Sequence, residues 1–258
     1  MSALLEVRGI SKSFGGLQAL QDCSLTVEDG SITALIGPNG SGKTTLFNII
    51  TGYVTPDSGT VTVAGADVTG ARPDQIFARG LGRTFQLTRI FGRLSVLENM
   101  LVATQRKEGW LRSVLRPAAS ELEQRRAYEL LDFVGLTRLA SARAGTLSYG
   151  QRKLLELAYV LVADPAVILL DEPAGGVNPT LINQIRDRIT ELNGQGKTFL
   201  VIEHNMEFVM SLSHQVTCMH QGSPIITGPP EVVRSDHRVL DAYLGGADEE
   251  EDDDVAVG

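Results

Sequence analysis

Two apolar periodicities divide the chain. Leu4–Arg8 alternates apolar and charged residues, and Ser24–Val27 and Thr60–Val63 look similar, with Asp29-Gly30 and Asp57-Ser58-Gly59 as turn punctuation. Alternation with period two marks strands buried on one face, so these pieces predict a small antiparallel sheet. Ile32–Ile36, Val167–Leu170 and Phe199–Ile202 are instead unbroken apolar runs, as expected of parallel strands covered on both faces. Helical stretches lie between them. One covers Gln151–Val162 and stops near Asp164-Pro165; another runs from about Pro179 to Asn193 and stops at Gly194. Strand and helix in alternation predict an α/β fold around a central parallel sheet.

Residues 90–145 interrupt that plan, being rich in helical pattern and poor in buried strands. Ser120 followed by Glu123 forms a capping box at a helix start. Leu122, Leu130, Leu131 and Val134 then recur near the helical period, and Gly135 suits the C-terminal cap. The segment reads as an inserted helical subdomain. Trp110 sits in the amphipathic stretch Gly109–Arg116, where packing within that subdomain explains it more simply than contact with a membrane partner. No internal repeat is evident.

Composition narrows the class. With 258 residues and 43% hydrophobic positions, the chain can bury a large core without disulfides. Cys23 and Cys218 lie far apart and form no C-x-x-C pair, which points to two structural thiols. Glu6, Arg8 and Lys12 break up any apolar leader. No apolar run approaches the ~18 residues of a membrane span, so any work at a membrane requires another chain to hold this one there. The net charge is −8, and the seven consecutive acids Asp248–Asp254 account for all but one of those charges. The remainder lacks the basic footprint of a nucleic-acid binder. The acidic run reads as a disordered, solubilising tail.

Gly37–Thr44 reads Gly-Pro-Asn-Gly-Ser-Gly-Lys-Thr, the G-x-x-x-x-G-K-[ST] pattern, between an apolar strand and the helical run Thr45–Thr51. Gly37, Gly40 and Gly42 allow the backbone to curl round an anion, with N–H groups and a helix N-terminus facing phosphate. Lys43 brings a charge to the outer phosphates and Thr44 a hydroxyl to Mg²⁺. Val167–Glu172 is a buried strand ending in two acids. Asp171 is placed to hold Mg²⁺, and Glu172 to orient or deprotonate an attacking water. Leu147-Ser-Tyr-Gly-Gln151 precedes a helix, so Ser148 and Gly150 can meet a γ-phosphate, although Ser148 taken alone also suits a simple N-cap.

The order of these motifs, with Gln86 after Arg83-Thr84-Phe85 and a single histidine, His204, after a strand, resembles the ATP-binding-cassette ATPases. The resemblance runs from about Leu5 to Leu244. It implies a P-loop NTPase core with a parallel sheet, a small antiparallel β subdomain and an inserted helical subdomain. Residues 1–246 would form the nucleotide-binding domain, with the helical subdomain at about 90–145 and the acidic tail at 247–258. It also implies a head-to-tail dimer with ATP sandwiched between the loop of one subunit and Leu147–Gln151 of the other. Phe14-Gly15-Gly16, Gly82–Gln86, Asp171–Gly175, Asn178-Pro179 and Glu203–Met206 bring it closest to the larger ATPase subunit of branched-chain amino acid importers.

Such subunits pair with a second cassette, a paralogue or a copy of themselves, and with two permease chains at the cytoplasmic face of the membrane. A solute-binding protein acts upstream. The implied catalytic set is Glu172, His204, Gln86 and Lys43, with Thr44, Gln86 and Asp171 at the metal. Implied nucleotide contacts are Phe14, Gly37, Pro38, Asn39, Gly40, Ser41, Gly42, Lys43, Thr44, Thr45, Ser148, Gly150 and Gln151. Phe14 would stack on adenine, or else be a core aromatic near a strand. His214, His220 and His237 gain no comparable role.

Two positions depart from the family pattern. Tyr149 replaces a common glycine, and Asn178 stands where many cassettes carry Asp. ATPases of urea or amide importers and of lipopolysaccharide export resemble the C-terminal third. Soluble cassette proteins of translation or DNA repair fit less well, since this chain has one cassette and no heptad run.

Overall fold

The computed structural model describes residues 2–84, 90–104 and 120–244. Phe85 and Gln86, Trp110 and the acidic tail lie outside the described residues.

The chain opens as a long hairpin, β1 (Ala3–Phe14) and β2 (Leu17–Glu28), which is joined by β4 (Ser58–Val63) and β5 (Ala66–Asp67) in an antiparallel sheet of order β2-β1-β4-β5. The second sheet has the order β10-β9-β3-β8-β7-β6. Its strands are β3 (Ile32–Ile36), β6 (Leu81–Arg83), β7 (Val167–Asp171), β8 (Thr198–Ile202), β9 (Gln215–His220) and β10 (Ser223–Gly228). All neighbours in it run parallel except the β9–β10 hairpin. The sequence pattern identifies β3, β7 and β8 but passes over β6, β9 and β10.

The parallel sheet is covered on both faces, as its unbroken apolar runs require. Val167, Leu169, Leu200 and Ile202 pack with α1 (Lys43–Ile50) and the antiparallel sheet. Ile168, Leu170, Phe199 and Val201 face the opposite core. There they meet α3 (Val96–Thr104), α4 (Glu121–Phe133), α5 (Tyr149–Leu161) and α6 (Pro179–Gly194). The short α2 (Pro73–Ala78) precedes β6, and α7 (Met206–Leu212), α8 (Pro230–Ser235) and α9 (His237–Leu244) close the β9 side.

The helical segment has the expected start. Ser120 Oγ accepts from Glu123 N at 3.3 Å, and Glu123 Oε2 accepts from Ser120 N at 2.7 Å. Gly135 follows the helix with φ +73°, a left-handed geometry that only glycine adopts freely. Leu130, Leu131 and Val134 are buried. Leu122 is not part of that stripe: it is 75% exposed, because five residues before the buried Ala127 it lies roughly 140° round the helix.

Candidate functional site

The ends of three adjacent strands bring Lys43, Asp171, Glu172 and His204 together, whereas Ser148, Gly150 and Gln151 start a helix on the other face of the sheet. Strand β3 runs into the loop 37–42, β7 ends at Asp171-Glu172, and β8, which lies between them, leads into Glu203-His204. The carboxyl edge of a parallel sheet is where α/β folds bind ligands.

The glycine loop is shaped by close backbone approach. Gly37 has φ +145°, and a Cβ there would collide with the Met219 carbonyl. Gly42, at φ +99°, would bring a Cβ to 2.7 Å from Ala19 O. Gly40 has φ +75° with open space around it, so its need is conformational. Behind the loop the Gln221-Gly222 turn braces it: Gly222 N donates to Ser41 O at 3.1 Å, and Gln21 N donates to Gly222 O at 3.0 Å. Ser41 is buried and Pro38 and Thr45 are half-buried, whereas Asn39 and Thr44 are exposed. Tyr243 of α9 accepts from Gly37 N at 2.9 Å, and burial raises its phenol above the usual range.

Lys43 Nζ donates to the Gly37 and Pro38 carbonyls at 2.8 Å each, and to Ser41 Oγ at 3.3 Å. Burial pulls its ammonium below the ordinary value, and the Glu172 and Asp171 carboxylates pull the other way. No side chain caps the N-terminus of α1, whereas Ser148, Asn178 and Asn205 cap α5, α6 and α7. An α1 N-terminus with no side-chain cap, a curled loop and a half-buried cation form a donor set suited to polyphosphate.

Asp171 is buried against Arg83, whose Nη2 lies 2.9 Å from Asp171 Oδ2. The same guanidinium donates to Asn48 Oδ1 at 2.8 Å and to Thr51 Oγ1 at 3.0 Å, and it lies over the Phe47 ring. It therefore ties β6 and β7 to α1. Glu172 holds φ +48°, a strained geometry for a residue with a Cβ and one that clusters at functional sites. Lys153 Nζ donates to the Glu172 carbonyl at 2.8 Å. Glu172 Oε1 lies 3.6 Å from His204 Nδ1, with both side chains partly open to solvent.

A residue that lies in the matched segment Glu203–Met206 but receives no role from the sequence completes this cluster. Glu203 is fully buried. Its Oε1 accepts from Ala174 N at 2.6 Å, and its Oε2 from His204 N at 3.1 Å and Asn205 N at 3.2 Å. Arg83, Glu203 and Tyr243 all act through contacts distant in sequence. Their only local signal is a charged or polar group beside an apolar strand or on a terminal helix.

Ser148 is exposed and serves as the N-cap of α5. Its Oγ accepts from Gln151 N at 3.2 Å, and Gln151 Oε1 accepts from Ser148 N at 2.9 Å. That cap starts the helix at Tyr149, two residues before the apolar pattern does. Gly150 is buried, and a Cβ on it would fall inside Leu181 of α6. Asn178 caps α6, its Oδ1 accepting from Leu181 N at 3.0 Å. Phe14 is 47% exposed beside Lys12, which removes the core-aromatic alternative. His214 is structural, Nδ1 accepting from Ile32 N at 3.0 Å. Both cysteines are buried, and burial pushes their thiols up, Cys23 to about 12 and Cys218 to about 11. Among the described residues no helix is long and apolar enough to cross a membrane.

Comparison with known proteins bears on family and fold. Residues 20–175 match the ABC transporter family model, and residues 225–249 match that of the branched-chain amino acid ATP-binding cassette transporter. The high-affinity branched-chain amino acid transport ATP-binding protein BraF of Pseudomonas aeruginosa is 39% identical over 251 residues, 95% of this chain and 98% of its own length. The protein LivG of Salmonella typhimurium, of the same description, is 40% identical over the same shares. The ADP conformation of MJ1267, an ATP-binding cassette of an ABC transporter, superposes with a TM-score of 0.86 at 36% identity, covering 95% of this chain and 100% of that one.

Proposed function

Because this chain belongs to the ABC transporter ATP-binding family, we propose that it hydrolyses ATP to drive uptake of branched-chain amino acids through a partner permease. The observation that carries the reading is the meeting of the uncapped α1 N-terminus, Lys43, Glu172 and His204 at one sheet edge. The family model at 225–249 and the descriptions of the relatives favour amino acids as cargo.

In this reading the loop 37–44 and the first turn of α1 bind the phosphates through backbone N–H groups and Lys43. Phe14, exposed at the tip of the β1–β2 hairpin, offers its face to the base. The Thr44 hydroxyl and the Asp171 carboxylate are the donors that suit Mg²⁺, which when bound neutralises charge on the β- and γ-phosphates. Glu172 orients the attacking water and takes its proton, and His204 donates to the γ-phosphate oxygens. Gln86 reports on this chemistry from the segment that leads into the helical insert. Residues 86–91 and that insert pass the movement to the permease.

Ser148, Gly150 and Gln151 would face the nucleotide of a second cassette, so that ATP stabilises the closed pair by touching both halves. The working assembly is then two cassettes and two permeases at the cytoplasmic face, fed by a solute-binding protein.

The test is ATP hydrolysis by the complex reconstituted with its permeases. Binding protein loaded with leucine, isoleucine or valine should stimulate turnover, and urea or short amides should not. Glu172→Gln should abolish the stimulated rate while nucleotide affinity persists. Stimulation by urea alone would reassign the cargo, and a full rate from Glu172→Gln would remove the catalytic assignment.

A further inference from the structure

Glu203 is a fully buried carboxylate with no place in the phosphate chemistry above, yet it spans the two loops that carry it. One oxygen takes the backbone N–H of Ala174, two residues beyond Glu172. The other takes the N–H groups of His204 and Asn205. The chain is pinned on either side of these contacts. Glu203 N donates to Leu35 O at 3.4 Å beside the end of β3, and Glu172 N donates to Ile202 O at 3.0 Å beside the end of β8. Three N–H donors on one carboxylate satisfy a charge that burial would otherwise make costly. We infer that Glu203 is a positioning residue for hydrolysis: by bridging the two loops it sets the spacing and orientation of Glu172 relative to His204.

The bridge matters because neither catalytic side chain is held by its own surroundings. Glu172 and His204 are 38% and 59% exposed, and 3.6 Å separates Oε1 from Nδ1. Their placement depends on backbone, and the backbone of both loops converges on the same two oxygens. Misplacement of a reacting group by about 1 Å is enough to cost a hundredfold in rate. Two acceptor oxygens are required by this bonding pattern. A glutamine keeps the shape but has one acceptor oxygen in place of two. Two donors crowd Oε2 and one meets Oε1, so the amide oxygen turns toward His204 and Asn205. Its NH₂ then faces Ala174 N–H, and the link to the Glu172 loop is lost while the His204 side stays bonded.

The inference rests on reading Glu172 and His204 as the hydrolytic pair, and the experiment separates the two. In Glu203→Gln, kcat should fall by about tenfold to a hundredfold, while KM for ATP and nucleotide affinity stay within about threefold. In the nucleotide-free protein, the Ala174 amide proton should move upfield and exchange faster with solvent, and those of His204 and Asn205 should change little. On a Glu172→Gln background, Glu203→Gln should cost almost nothing more of the residual rate, because the side chain on the released loop no longer acts.

Wild-type kcat in Glu203→Gln, or a full additional loss on the Glu172→Gln background, would overturn the inference. An unchanged Ala174 amide would do the same. If Glu172→Gln is inactive while Glu203→Gln keeps full turnover, the bridge alone falls. A fully active Glu172→Gln would sink the hydrolytic reading and this inference together. Should Glu203→Gln fail to fold, the same criteria apply to Glu203→Asp, whose shorter side chain reaches one loop at a time.

Discussion

At the scale of single residues, the site is organised by charges that are bonded more than once. Arg83 meets Asp171, Asn48 and Thr51, so the carboxylate proposed for the metal is held by a guanidinium that also grips α1. Removing one partner of a buried pair leaves the other charged and desolvated. Arg83→Ala should therefore destabilise the fold by about 3–5 kcal/mol in urea titration. Adding Asp171→Asn should return a large part of that loss, since the orphaned charge is then gone; additive losses would show that the two side chains are not coupled. The glycine loop, Lys43 and the Asp171-Glu172 pair were legible in the sequence because their chemistry depends on local spacing. Glu203 and Arg83 were not, because what gives each its role is a backbone or side-chain partner brought close only by strand order. Ser148 was legible as a cap or as a phosphate contact, and in the folded chain its hydroxyl is already bonded to Gln151 N.

At the scale of elements, helices with polar caps and strands with an unbroken apolar run were the readable ones. Strands β9 and β10 escaped notice because Gln215–His220 mixes polar and apolar residues. Their clearest signal is the two-residue Gln221-Gly222 connection, in which both residues have positive φ, 47° and 81°, as a tight hairpin turn demands. The three-residue β6 is too short to carry a periodicity. The join between α5 and α6 shows what the motif at 147–151 does inside one chain. Gly150 lets the start of α5 approach Leu181 so closely that a Cβ would have to displace the end of that side chain. Gly150→Ala should cost about 1–3 kcal/mol through overpacking. Leu181→Ala should relieve much of that penalty in the double variant, measured as an unfolding midpoint closer to that of Leu181→Ala alone. Equal penalties on both backgrounds would mean that this contact is not the cause, and that the glycine serves the ligand only.

At the scale of the whole molecule, α1 lies between the two sheets. Leu46, Phe47, Ile49 and Ile50 share one core with β1, β2 and β4 on one side and with β3, β7 and β8 on the other. The proposed nucleotide cradle is thus built on a helix held between the two sheets, whereas Ser148 begins a helix in the other core, on the opposite face of the parallel sheet. A chain arranged this way supports the loop 37–44 and the segment 147–151 on different cores, and in the proposed head-to-tail pair a second cassette faces the first in the opposite sense. The consequence is kinetic. If each active site is assembled from two chains, turnover per chain must follow the fraction that is paired. Diluting the protein about a hundredfold through its dimerisation constant, alone or with its cassette partner at equal concentration, should lower the rate per chain at saturating ATP. Glu172→Gln, which keeps the cradle but not the proposed base, should shift to dimer mass on gel filtration when ATP is present. Ser148→Arg should prevent that shift while costing the isolated chain only the lost N-cap, about 1 kcal/mol, since the side chain is exposed. A rate per chain that is indifferent to dilution down to monomer would mean that one chain completes its own site, and the head-to-tail pair would have to be given up.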